Sequence, residues 1–225
     1  MPKRSYTSAT GDGIPETYTE MIDIYHEMKN SRDVIPLPEI HNLVSTCNIE
    51  SSVRPIDLEQ VTRLLPNSHY DKQKFAAITM RLQEPSCTVL LFTSGKMVLT
   101  GTTNFLDCLV SANHVLALLR QGVPGVRFTM TLPRVQNIVG NVNLNLSENL
   151  MVDLNRLHAQ ENIYCTYQKN MFPGLIYRPV DSPVVFLVFN SGKIVLTGAK
   201  STLDLYYGWQ TFWPRICEFI TKQKE

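Results

Sequence analysis

The chain has 225 residues, 44% of them hydrophobic and 18% charged, with a formal net charge of +1. That balance belongs to a folded chain with a substantial core and excludes disordered, collagen-like and coiled-coil classes. Near-neutral charge gives no global sign of nucleic-acid binding, so such a role must rest on a local surface. No apolar run reaches the roughly 18–20 residues of a membrane helix, so no membrane partner is expected, and the polar residues after Met1-Pro2-Lys3-Arg4 predict no secretory signal. The cysteines (Cys47, Cys87, Cys108, Cys165, Cys217) are odd in number and never spaced C-x-x-C. They predict reduced intracellular thiols, with neither a disulfide frame nor a zinc site.

The first 36 residues stand apart from the remainder of the chain. One helix is expected within residues 15–29, where Tyr18, Ile22, Tyr25 and His26 share a face, and the other residues of this segment are expected to be mobile. Beyond residue 36 the chain repeats itself. Phe92-Thr-Ser-Gly-Lys-Met-Val-Leu-Thr-Gly101 recurs 97 residues later as Phe189-Asn-Ser-Gly-Lys-Ile-Val-Leu-Thr-Gly198. The same offset carries Phe75 to Phe172 and Arg81 to Arg178, and an offset of 95 carries Asn42 to Asn137. The chain therefore holds two tandem copies, over residues 37–125 and 126–225. Each opens on a predicted strand (40–49; 135–144) and continues with a helix, marked by Leu58, Val61, Leu64 and Leu65 and by Leu150, Leu154 and Leu157. Strand-like runs come next (75–82, 88–92 and 97–100; 175–178, 184–189 and 194–197), with Ser94-Gly95 and Ser191-Gly192 as hairpin turns. A long amphipathic helix closes each copy, carrying Phe105, Leu109, Ala112, Leu116 and Leu119 or Leu205, Trp209, Phe212, Ile216 and Phe219. The class is α+β, an antiparallel sheet with helices on one face.

Strand alternation separates the two faces. Ala76, Ile78, Met80, Leu82, Leu91, Met97 and Leu99 are expected under the helices, and His41 with them as a packed core histidine. The other face carries Phe75, Ala77, Thr79, Arg81, Leu90, Phe92, Val98 and Thr100, then Val185, Leu187, Phe189, Val195 and Thr197, with Asn42, Val44, Asn137 and Val139 by analogy. Such a broad apolar face signals a partner. Its asparagine and threonine donors suit the minor groove of A·T pairs, which offers only acceptors, and its valines and leucines leave no room for the guanine amine. Phenylalanines at the ends of such a face can wedge between base steps. No histidine stands in a metal or triad spacing, and neither a P-loop nor a dinucleotide fingerprint is present, so neither catalysis nor a cofactor is expected.

These strings resemble the core of the TATA-box-binding protein family over residues 37–222, through Asn42-Leu-Val-Ser-Thr46, Lys74-Phe-Ala-Ala77, Gln136-Asn-Ile-Val-Gly140, Phe172-Pro-Gly-Leu-Ile-Tyr-Arg178 and the two Ser-Gly-Lys strings. The resemblance implies a saddle: a curved ten-stranded antiparallel sheet with four helices on its convex face, and a factor that kinks A·T-rich promoter DNA and nucleates an initiation complex. It casts Phe75, Phe92, Phe172 and Phe189 as intercalating residues. It assigns groove contacts to Asn42, Val44, Leu90, Val98, Thr100, Asn137, Val139, Leu187, Val195 and Thr197, and phosphate contacts to Lys74, Arg81, Lys96, Arg178, Lys193 and Lys200. The implied partners are double-stranded A·T-rich DNA, a transcription factor IIB-like protein and the RNA polymerase machinery, with a homodimer when free. The implied site of action is the nucleus, or a cytoplasmic viral factory for a virus-encoded member.

The departures concern cations and partner surfaces. Where the family has a Gly-Ala-Lys string the first copy reads Gly101-Thr-Thr103; Ser86-Cys87 and Val180-Asp181-Ser182-Pro183 replace basic stretches; and Tyr167-Gln-Lys-Asn-Met171 lacks the glutamates that engage transcription factor IIB. The helix over 106–121, basic in the family, offers only Arg120 and His114. Each lost phosphate contact lowers the salt slope by about 0.9. A saddle that serves as a protein-interaction module, with weak or no DNA binding, is the alternative reading.

Overall fold

The computed structural model describes residues 35–222; the helix expected within 15–29 lies outside them. Strand β1 (Glu39–Ser51) leads to helix α1 (Leu58–Leu64), the two-residue strand β2 (Ser68–His69), then β3 (Ala77–Gln83), β4 (Ser86–Phe92), β5 (Lys96–Thr102) and helix α2 (Phe105–Gly122). A short β6 (Phe128–Met130) joins this half to the second. There the order is β7 (Arg134–Asn143), β8 (Leu150–Val152), α3 (Leu154–Gln160), β9 (Cys165–Thr166), β10 (Leu175–Tyr177), β11 (Val185–Val188), β12 (Lys193–Ala199), α4 (Thr202–Cys217) and β13 (Ile220–Lys222). Each helix begins at a side-chain cap: Asp57, Asn104, Asp153 and Ser201 each accept from the backbone N–H three residues on.

Ten strands lie in the order β2-β3-β4-β5-β1-β7-β12-β11-β10-β9, β6 pairs with β1 as an eleventh, and β8 with β13 forms a separate ribbon. Exchanging each strand for its counterpart in the other repeat reverses this order, so the halves are related by a pseudo-two-fold at the β1–β7 junction. The register shows it directly, with Asn42 opposite Val139 and Val44 opposite Asn137.

Alternation puts Leu43, Cys47, Ile78, Met80, Leu91, Met97 and Leu99 of the first half, and Ile138, Val142, Phe186, Val188, Ile194 and Leu196 of the second, into one buried cluster with the apolar faces of all four helices. The two halves fill it differently. Beneath α4 the packing is aromatic, with Phe186 stacked on Phe212 at 4.2 Å and Trp209 alongside. The Trp209 indole N–H donates to the Pro36 carbonyl (2.7 Å), which ties the incoming chain to this helix. Beneath α2 the packing is aliphatic and thiol, with Cys47, Cys87 and Cys108 buried. Burial, reinforced by Cys108, pushes the Cys47 thiol up to about 12.

Four expectations fail locally. Phe219, expected in the closing helix, lies past the end of α4 at Cys217, in the turn before β13, although it is buried. His41 is exposed and lies 3.7 Å from Glu39 Oε2. The β1–β7 register shifts between Ile40 and Asn42, so the alternation that holds from Leu43 to Ile49 does not reach back to it. Leu150 belongs to β8, not to the helix, which starts after the Asp153 cap. Phe75 and Ala76 precede β3 and are exposed; Ala77, opposite Phe92, begins the strand and is buried on the free face.

A bulge recurs in β5 and β12. Register moves from Ser45–Leu99 to Leu43–Thr102 in one half and from Gly140–Leu196 to Ile138–Ala199 in the other. The extra residues end on Gly101 (φ +100°) and Gly198 (φ +95°), in the left-handed region that favours glycine. A Cβ on Gly198 would meet the Pro183 carbonyl oxygen at 2.5 Å, whereas one on Gly101 finds nothing nearer than 3.8 Å. Gly101→Ala should therefore cost about 1–3 kcal/mol of backbone strain and Gly198→Ala clearly more in urea unfolding; equal costs would contradict this account of the bulge.

Candidate nucleic-acid interface

Two turns of the same build present the outer rings. The Asp71 carbonyl accepts from the N–H groups of Lys74 (3.0 Å) and Phe75 (2.9 Å), and 97 residues on the Gln168 carbonyl accepts from Met171 (2.9 Å) and Phe172 (3.0 Å). The inner rings sit where β4 and β11 end. Phe92 and Phe189 each precede a tight turn closed by Gly95 N–H to the Phe92 carbonyl (2.9 Å) and Gly192 N–H to the Phe189 carbonyl (3.0 Å). Phe75 and Phe92 meet edge to face at 6.1 Å and 63°, Phe172 and Phe189 at 5.8 Å and 67°. Phe75 is 47% exposed and Phe172 36%. An aromatic pair stands open at each end of the sheet's free face, where solvated polar residues would normally lie. Gly174 seats the second pair: a Cβ there would lie 2.7 Å from Phe172 Cε1 and 3.0 Å from Phe189 Cε1.

The bulge organises the centre of the face. It frees the Gly101 N–H from the ladder to donate to Asn42 Oδ1 (2.7 Å), and the Thr100 hydroxyl donates to the same oxygen (3.0 Å). In the other half Gly198 N–H donates to Asn137 Oδ1 (2.7 Å), and Thr197 Oγ1 lies 3.3 Å from that oxygen and 3.1 Å from Asn137 Nδ2. A backbone N–H can only donate, so the carboxamide orientation is settled: oxygen toward the bulge, amide nitrogen available as donor. The Thr100 and Thr197 hydroxyls support the asparagines, so at the centre of the face the donors retained come chiefly from the amides.

Val44, Leu90, Val98, Val139, Leu187 and Val195 are all half-buried on this face, with Leu90 across from Val98 and Leu187 across from Val195. The same face holds residues that the family resemblance left without a contact. Thr46 pairs with Val98 and Asn141 with Val195, two counterparts that the 95-residue offset and the strand alternation would have found. Thr79, Thr88, Ile176 and Val185 flank them.

The predicted cations Lys74, Arg81, Lys96, Arg178, Lys193 and Lys200 are exposed. Lys74 Nζ lies 3.3 Å from Asp71 Oδ2; the other five make no ion pair among the described residues. Lys96 stands across from Asn48 and Lys193 across from Asn143, at matching ends of the central strands. Thr103, also exposed, occupies the place that Lys200 holds in the other half.

The family model for "Transcription factor TFIID (or TATA-binding protein, TBP)" matches residues 37–122 and 132–219. The chain belongs to the TATA-binding protein family. It is 34% identical over 184 residues to the TATA-box-binding protein of Acetabularia peniculus, covering 81% of this chain and 91% of that one. It is 34% identical to that of Saccharomyces cerevisiae, covering 81% and 72%. The solved structure of Methanococcus jannaschii TBP superposes with a TM-score of 0.68 at 30% identity, over 81% of this chain and 99% of that one. The fold is thus the family's saddle, and the chain is a transcription factor, not an enzyme. The counterpart of Gly174 in the first half is Ala77, beside which the rings stand slightly farther apart, at 6.1 Å against 5.8 Å. Gly174→Ala should therefore shift the Phe172 and Phe189 rings without separating the pair, moving their ring proton resonances and leaving those of Phe75 and Phe92 in place; unchanged Phe172 and Phe189 resonances would refute the seating role of Gly174.

Proposed function

We propose that this factor binds the minor groove of A·T-rich promoter DNA, inserts its two phenylalanine pairs at the ends of the site, bends the duplex and nucleates an initiation complex in the nucleus. The observation that carries this reading is the free face itself, with two amide donors at its centre, apolar side chains around them and, at either end, a ring pair whose outer ring is exposed. Adenine N3 and thymine O2 accept from Asn42 and Asn137, while the valines and leucines crowd out the guanine amine. Unstacking costs a few kcal/mol per step, which the contacts opened by the bend offset. Without DNA, a second copy can cover the same face. The outer face of α2 exposes Leu106 and Val110, so the partners on the helix side differ in chemistry from those of a basic helix, and a transcription factor IIB-like protein would meet an altered second turn.

Duplex ends labelled for energy transfer should draw together on binding to an A·T-rich site. Phe75→Ala with Phe92→Ala should abolish most of that change, and an unchanged transfer efficiency would sink the intercalating assignment.

A second reading, a saddle whose free face docks a protein, is favoured by Thr103 standing where Lys200 stands in the other half. Salt dependence separates the two. Six phosphate contacts give log affinity against log salt a slope of about −5, and Lys193→Ala should reduce its magnitude by about 0.9 on every A·T-rich duplex tested. A slope close to zero would favour the protein-docking reading.

A further inference from the structure

The free face is symmetric in its scaffold but not in its chemistry. In the first repeat Thr79 lies across from Leu90, and Thr88 across from Thr100. The corresponding places in the second repeat are Ile176 across from Leu187, and Val185 across from Thr197. All four are half-buried on the same face. Neither the Thr79 nor the Thr88 hydroxyl has a hydrogen-bond partner among the described residues, whereas Thr100 donates to Asn42.

Given the minor-groove reading above, on which this inference rests, we infer that the two halves read different base pairs. The first repeat admits a G·C pair just inside its phenylalanine pair, and the second demands A·T. The guanine amine projects from the groove floor and needs both room and an acceptor. A threonine hydroxyl accepts, and threonine is shorter than isoleucine. Ile176 and Val185 offer only methyl groups, so an amine pressed against them loses its water and gains nothing. Thr79 is the specificity-determining residue: it stands two residues along β3 from Ala77, which pairs with Phe92, and so lies about 7 Å of strand from the wedge.

The test uses the full chain and a self-complementary alternating A·T duplex. Because the site reads the same in both directions, the saddle can turn end for end. A single G·C pair near either end should therefore cost less than about threefold in affinity, because the first repeat takes that end. G·C pairs near both ends should cost about tenfold or more, because one must lie under the second repeat. Inosine·C pairs at both ends, which lack the groove amine, should cost little. Thr79→Ile should make a single G·C pair as costly as the double replacement, and Ile176→Thr should relieve the double replacement. Equal weakness of the G·C and inosine·C double replacements, or a single-replacement penalty unmoved by Thr79→Ile, would overturn the inference while leaving minor-groove binding intact. Failure to bind the all-A·T duplex would overturn both together.

Discussion

A glycine N–H turned out of its ladder by a bulge holds an asparagine oxygen 2.7 Å away in each repeat, and the free face is organised around that pair of bonds. One device has three effects. The extra residues in β5 and β12 shift the register beside β1 and β7, where the two halves meet. The freed amide satisfies the carbonyl end of the carboxamide, which would otherwise compete for water or flip. There remains the amide nitrogen as the donor end of the carboxamide, among apolar neighbours, with Thr197 Oγ1 beside it in the second half. The glycine lets the positive φ form without strain, so the bulge and the orientation of the amide both rest on it.

The second constraint is that a strand has only two faces. Helices cover one, and the core beneath them is closed on both sides of the pseudo-two-fold, although aromatic rings fill it under α4 and aliphatic and thiol side chains under α2. The same register and bulge positions thus coexist with two different packing solutions. The other face is left with valines, leucines and open rings, a surface whose exposure is unfavourable in water and which is stabilised when something covers it.

Most of this is legible from residue order. The offset of 97 locates both ring pairs, and alternation sorts Leu91, Met97 and Leu99 from Leu90, Val98 and Thr100, because a period of two leaves no ambiguity once a strand is regular. The errors fall where regularity stops. Alternation places His41 inward because it cannot see a register shift, and spacing draws Leu150 into a helix because its distance from Leu154 fits either a turn of helix or a short strand before a cap. Phe75 reads as strand although it closes a turn on Asp71, a hydrogen bond that no periodicity reports. The role of Thr100 also changes. As a residue type it can donate to a ligand, but only the structure shows its hydroxyl engaged by Asn42. Thr46 and Asn141 emerge only when the offset is applied once more along the same strands.

The central claim is that the two ring pairs, each with an exposed outer ring and a half-buried inner one, open base steps at the two ends of one site. The most direct measurement places 2-aminopurine, whose emission rises on unstacking, at successive positions of an A·T-rich duplex and titrates in the protein. The account predicts increases at two steps near the ends of the site and little change between them. Saturated binding with emission flat at every position would show that the rings do not enter the stack, and would contradict it.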